Sequence, residues 1–108
     1  MQFPQDETGQ VLAEMFAAGI DLTQSHTVVF FQLFEQEAQA KAMAEHLAKS
    51  APDMKVAVHP DPEISNVWDV DFSLTMIPLY DAIVAQEAQF EQVANKFNGY
   101  NDGWGIEA

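Results

Sequence analysis

The predicted elements of this chain follow in the order α-β-α-β-β-α-β, which indicates an α+β protein. A run of β-branched and aromatic residues from His26 to Phe34 predicts a buried strand, and strict polar–apolar alternation from Asn66 to Thr75 predicts a second. Stripes of apolar residues at helical spacing lie before the first strand and between later strands. Without the first helix, the remaining βαββαβ order is that of a ferredoxin-like sandwich. We therefore expect two helices on one face of a four-stranded antiparallel sheet, plus an additional N-terminal helix.

The length of 108 residues indicates a single domain over residues 1–108. The N-terminal helix is predicted at about residues 6–18 and the ferredoxin-like core at about residues 25–108. In the first helix, Val11, Leu12, Met15 and Phe16 form a narrow apolar stripe, and Gly19 is a typical residue at a helix end.

The strand from His26 to Phe34 is apolar on both faces, which is typical of a central strand covered on both sides. We expect the N-terminal helix to cover the side that the other two helices leave free. Glu35 to Ser50, rich in alanine and glutamate, is predicted as the second helix. Pro52 and Asp53 are expected to end it.

A short strand is predicted from Met54 to His59, followed by the alternating strand. On that strand Trp68, Val70, Phe72 and Leu74 are expected to face the helices, and Asp69 and Asp71 the other side. A third helix begins near Pro78 and continues to Phe97, and a terminal strand begins at Tyr100.

The charge balance limits the classes of partner. Seventeen Asp and Glu residues oppose four Lys and no Arg, which gives a formal net charge of −13. This excess argues against binding nucleic acid, because such binding depends on cationic contacts to phosphate. It also argues against attraction to anionic membranes, and no window approaches the roughly 20 apolar residues that span a bilayer. A positively charged partner is favoured, and the alternative is that the charge only maintains solubility.

No residue pattern predicts catalysis or a cofactor. The chain has no Cys, which excludes thiol nucleophiles and thiolate metal ligands. His26, His46 and His59 lack the spacing of a metal-ligand set. Asp69 and Asp71, on one strand face, could act as acid and base or hold a cation, or could simply be a solvated face. We favour the solvated face, and expect no catalytic residues, no metal site and no cofactor.

The last strand carries a distinctive motif, Tyr100-Asn101-Asp102-Gly103-Trp104-Gly105. Simple alternation places Gly103 and Gly105 on one face, where the missing side chains predict close approach of a neighbouring helix or backbone. Tyr100, Asp102 and Trp104 would share the other face. This segment after a final helix resembles the signature of the regulator of ribonuclease activity B (RraB) family.

The resemblance implies a small, acidic, cytoplasmic and non-catalytic protein that binds and inhibits an endoribonuclease of the ribonuclease E type. It also implies that Tyr100, Asp102, Gly103, Trp104 and Gly105 are the motif residues that this chain shares with members of the family. We expect no direct binding to nucleic acid or membrane. Acidic residues that could form the partner-binding surface are Glu35, Glu37, Glu45, Asp69 and Asp71. The alternative hypothesis is a small-molecule-binding ferredoxin-like domain, possibly dimeric, with a cleft beside Trp104.

Overall fold

Seven elements follow one another along the chain in the predicted order. A computed structural model describes residues 3–52 and 54–107. The elements are α1 (Glu7–Ala17), β1 (His26–Phe34), α2 (Glu37–Ser50), β2 (Lys55–Pro60), β3 (Trp68–Met76), α3 (Tyr80–Lys96) and β4 (Tyr100–Ile106).

The four strands form one antiparallel sheet in the order β2-β3-β1-β4. The central strands β1 and β3 pair over their whole length, from His26 opposite Met76 to Phe34 opposite Trp68. Each βαβ unit therefore places a helix between two parallel strands that are separated by one antiparallel neighbour. This is the ferredoxin-like layout that the element order predicts.

The helix boundaries follow local chemistry. Asp6 precedes α1, and its Oδ1 accepts a hydrogen bond from the Gly9 N–H at 2.8 Å, which satisfies one of the free amides of the first turn. The second helix begins at Glu37, two residues later than predicted, after Gln36 in an extended conformation. Pro52 follows the end of α2, and the predicted breaker Asp53 lies outside the described residues.

The core lies between α2, α3 and one face of the sheet. Phe30, Phe72 and Phe90 meet at its centre, with the rings of Phe72 and Phe90 stacked at 4.9 Å and those of Phe30 and Phe90 at 5.2 Å. Phe72 is completely buried, and Trp68 is half-buried against the same cluster. The predicted inward side of β3 is therefore confirmed.

The expected position of the N-terminal helix is wrong. Within the described residues α1 packs beside α3, and the Tyr80 hydroxyl at the start of α3 donates a hydrogen bond to the Asp6 carboxylate. Leu12 of α1 and Leu22, both buried, border an apolar groove at the start of α3. An apolar stripe predicts that a helix packs, but it does not specify which neighbour the helix packs against. In the part of the chain that the structure describes, the second face of the sheet consequently has no helical layer of its own.

Candidate functional site

The sheet face opposite α2 and α3 carries a histidine between two carboxylates. Antiparallel pairing of β2 with β3 sets His59 opposite Asp69, and Asp71 lies two residues farther along the same face. His59 Nε2 is 2.7 Å from Asp71 Oδ2, and His59 Nδ1 is 3.8 Å from Asp69 Oδ2 and 3.0 Å from the Pro60 carbonyl oxygen. We call this set, His59, Asp69 and Asp71, the histidine–aspartate cluster.

Both aspartates of the cluster are shielded from solvent. The side chain of Asp69 is 14% exposed and that of Asp71 is 22% exposed. The Oδ1 atoms of both residues are buried and have no hydrogen-bond partner among the described residues. The interpretation of these two residues as an ordinary solvated face is therefore wrong, because cross-strand neighbours cover carboxylates that alternation alone leaves in water.

The electrostatics of the cluster follow from this burial. The pKa of Asp69 is raised from its ordinary value of 3.8 to about 6, first by desolvation and then by hydrogen bonding and charge from the neighbouring Asp61 carboxyl. The hydrogen bond to Asp71 is the main cause that raises the pKa of His59 above 6.5. His59 therefore holds its proton more firmly than a free histidine, and Asp69 ionises less readily than a free aspartate.

Two further carboxylates belong to the same side of the sheet. Asp61 follows β2 and accepts hydrogen bonds from the Glu63 and Ile64 N–H groups, both at 2.8 Å. Asp102 in β4 has a pKa raised first by burial and then by the charge of Asp61. The negative potential thus extends from β2 across the sheet to β4. Within residues 3–52 and 54–107, no group of three or more His, Asp or Glu residues is arranged to hold a metal ion.

The fold separates the acidic residues that the sequence grouped together. Glu37 and Glu45 are exposed on α2, and Glu35 is exposed in the connection that precedes this helix. Asp69 and Asp71 lie on the opposite face of the sheet from α2. The five residues therefore belong to two surfaces, one on the helical layer and one on the sheet.

A β-bulge reorganises the motif of the terminal strand. Trp104 pairs with Phe30 and Asn101 pairs with Gln32, so that Asp102 and Gly103 together lie opposite Phe31. Trp104 consequently packs towards the helices, whereas Tyr100, paired with Leu33, lies on the other face and is 45% exposed. The prediction that Tyr100 and Trp104 share a face is wrong, because the extra residue reverses the alternation.

The two glycines of the motif have roles other than the predicted close packing. Gly103 has φ = +101°, and a side chain added there would meet no atom within 4 Å. Glycine is needed at this position because the bulge places Gly103 in the left-handed region of backbone conformation. A Cβ at Gly105 would meet only Phe31, at an ordinary 3.8 Å. By contrast, Gly99, which directly precedes the motif, does need the missing side chain, since a Cβ there would lie 2.2 Å from the Phe34 ring.

A groove of about 660 Å³ lies beside Trp104, between α1, α3 and β4. Its lining is mainly polar, with Glu7 and Glu87 on the helices and Asn101 donating a hydrogen bond to Glu87 at 3.1 Å. It therefore lacks the mainly apolar lining on which the small-molecule hypothesis depends.

Sequence reasoning missed two polar residues. His59 could have been found by aligning β2 with β3 as a hairpin, which sets it opposite Asp69. Gln32 is completely buried among core residues, and neither atom of its side-chain amide has a partner in the described part of the chain. The alternation of β1 predicts the burial of Gln32, because this residue falls on the same strand face as Val28 and Phe30.

The fold and its surfaces define a small, acidic, ferredoxin-like α+β domain whose charged groups divide between a helical layer and an open sheet face. Among the described residues, no helix is both long and apolar enough to cross a membrane. The chain belongs to the RraB family, described as regulator of ribonuclease activity B, whose family model matches residues 5–106. This is a family of regulatory, non-catalytic proteins, which associates the chain with the control of ribonuclease activity. Comparison with curated proteins finds no significant match.

Proposed function

We propose that this protein binds an endoribonuclease of the ribonuclease E type and lowers its activity without itself performing chemistry. The observation that carries the proposal is the family match over residues 5–106, which includes the whole ferredoxin-like core and the motif strand. An inhibitor of this kind acts by occupying a surface of the enzyme, so its contribution is affinity and not a reactive group.

The charge of the protein supports a mode of action. A net charge of −13 attracts a cationic surface and repels RNA, so the protein would compete with RNA for a basic surface on the enzyme. Exposed carboxylates such as Glu35, Glu37 and Glu45 would act mainly on the encounter, because charges at the rim of an interface change the association rate more than the dissociation rate.

The test measures binding and cleavage together. Purified protein is titrated against a ribonuclease E-type enzyme at low and at high salt, and cleavage of a single-stranded RNA is followed in the same mixtures. We expect saturable binding, loss of cleavage at stoichiometric protein, and association that slows by about tenfold or more at high salt. Direct titration with the same RNA serves as the control. Tight RNA binding together with no affinity for the enzyme would overturn the proposal.

A further inference from the structure

One face of the sheet has no helical layer over it within residues 3–52 and 54–107. Core residues of α2 and α3, such as Met43 and Phe90, pack with Phe30 on one side, and α1 packs beside α3. The strand residues whose side chains lie on the other side of the sheet form what we call the open face. They include Val29, Phe31, His59, Asp69, Asp71 and Tyr100. At its centre β1 contributes Val29 and Phe31, both half-buried.

The centre of the open face is apolar and accessible. Gly105 pairs with Val29 and carries no side chain that could cover the Phe31 ring, and Phe31 is half-buried along the groove that Val11 and Trp104 also line. Tyr100 lies farther along β4 on the same face and is 45% exposed. Val29, Phe31 and Tyr100 thus provide an apolar strip on a protein of net charge −13.

The carboxylates lie beside this strip. Asp69 and Asp71 pair directly with Leu33 and Phe31 across the β1–β3 ladder, and Asp102 belongs to the bulge opposite Phe31. His59 contacts both Asp69 and Asp71 through its ring nitrogens, and one oxygen of each carboxylate is buried without a donor among the described residues. These buried oxygens are out of reach of another molecule, but the Asp71 side chain is 22% exposed and Asp102 is exposed, so a cationic group from another molecule can bind at both carboxylates.

We propose that the open face is the docking surface for a segment of the protein partner in which arginine or lysine side chains lie next to apolar ones. The proposal rests on the proposed function for the existence of such a partner. Apolar side chains of the segment pack on Val29, Phe31 and Tyr100, and its cationic groups bind at Asp71 and Asp102. Charge complementarity selects this occupant over a second copy, because two open faces brought together would place like carboxylates against one another.

Paired variants separate the open face from the helical layer. Asp71→Asn with Asp102→Asn removes two charges from the open face, and Glu37→Gln with Glu45→Gln removes two from α2. In binding to the ribonuclease E-type enzyme, we expect the first pair to weaken affinity by about tenfold or more, largely through faster dissociation. The second pair should change affinity by less than about threefold, through association. Tyr100→Ala, at an exposed position, tests the apolar strip without threatening the core, and should also speed dissociation.

A peptide probe makes the outcome independent of the enzyme. A synthetic peptide in which arginine alternates with leucine is titrated into isotopically labelled protein, with a glutamate-for-arginine peptide as control. Backbone amide shifts at Val29, Phe31, Asp71 and Tyr100 would support the open face. Shifts confined to α2, or none, would overturn it.

The two tests distinguish the two proposals. If the unmodified protein binds the enzyme but the α2 pair weakens binding as much as the open-face pair, the docking proposal fails and the proposed function stands. If the unmodified protein does not bind the enzyme, the proposed function fails, and the peptide titration alone decides the docking surface.

Discussion

Replacing Asp69 by asparagine removes a carboxyl group whose ionisation the fold opposes. The Asp69 side chain is 14% exposed, Asp61 lies nearby, and burial is the main cause that raises its pKa to about 6. Asparagine has nearly the same shape and carries no charge at any pH. The substitution therefore changes the electrostatics of the histidine–aspartate cluster with little change in packing.

The sign of the pH effect follows from proton linkage. Between pH 3.8 and about 6, folded Asp69 keeps a proton that the unfolded chain releases, so stability falls as the pH rises through this interval. The raised pKa of His59 acts in the same direction above 6.5, because the stability that protonated His59 contributes is lost as the pH passes its folded pKa. The difference between 3.8 and about 6 corresponds to about 3 kcal/mol, which partial exposure and solvent screening reduce to roughly 1–2 kcal/mol.

Urea unfolding at a series of pH values from about 3 to about 8 measures this effect, since this range brackets the ordinary pKa values of both Asp69 and His59. Across the interval we expect the stability of Asp69→Asn to change with a difference of about 1–2 kcal/mol in its favour relative to the unmodified protein. The unfolding free energy of Asp69→Asn minus that of the unmodified protein should therefore increase from the acid to the neutral end of the series. Glu45→Gln, at an exposed position on α2, is the control for removal of one negative charge. If the Asp69→Asn and unmodified profiles are parallel, the carboxyl group is not desolvated and the reasoning is refuted.

Three other substitutions test the fold. Phe72→Ala should cost about 3–5 kcal/mol of unfolding free energy, because it empties the position stacked on Phe90; near-native melting would show that the strand faces are assigned wrongly. Gly103→Ala should cost about 1–2 kcal/mol for its left-handed backbone, whereas Gly105→Ala should be nearly neutral in the same denaturant titration; equal effects would contradict the bulge geometry. Asp6→Ala should lower the thermal midpoint more than Asp6→Asn, since asparagine still caps α1; equal midpoints would show that the cap contributes nothing.

The element order and the face of each regular strand could be predicted from the sequence, because both depend on local periodicity. The pattern from His26 to Phe34 gave β1 with its observed bounds, and the alternation through Phe72 gave the core side of β3. The family motif was readable for the same reason, since the glycines and Trp104 are contiguous.

The tertiary structure alone decided the features that depend on pairing between distant residues. The bulge at Asp102 and Gly103 exists because β4 must keep register with β1 on both sides of Phe31, and alternation within β4 cannot reveal it. The placement of α1 beside α3 depends on which apolar surface is nearest in space. The burial of Asp69 likewise depends on its cross-strand neighbours, His59 on β2 and Leu33 on β1. Local sequence therefore determined which elements form, whereas the desolvation and grouping of charges on the open face depended on how the strands assemble, because burial is a property of the packed sheet.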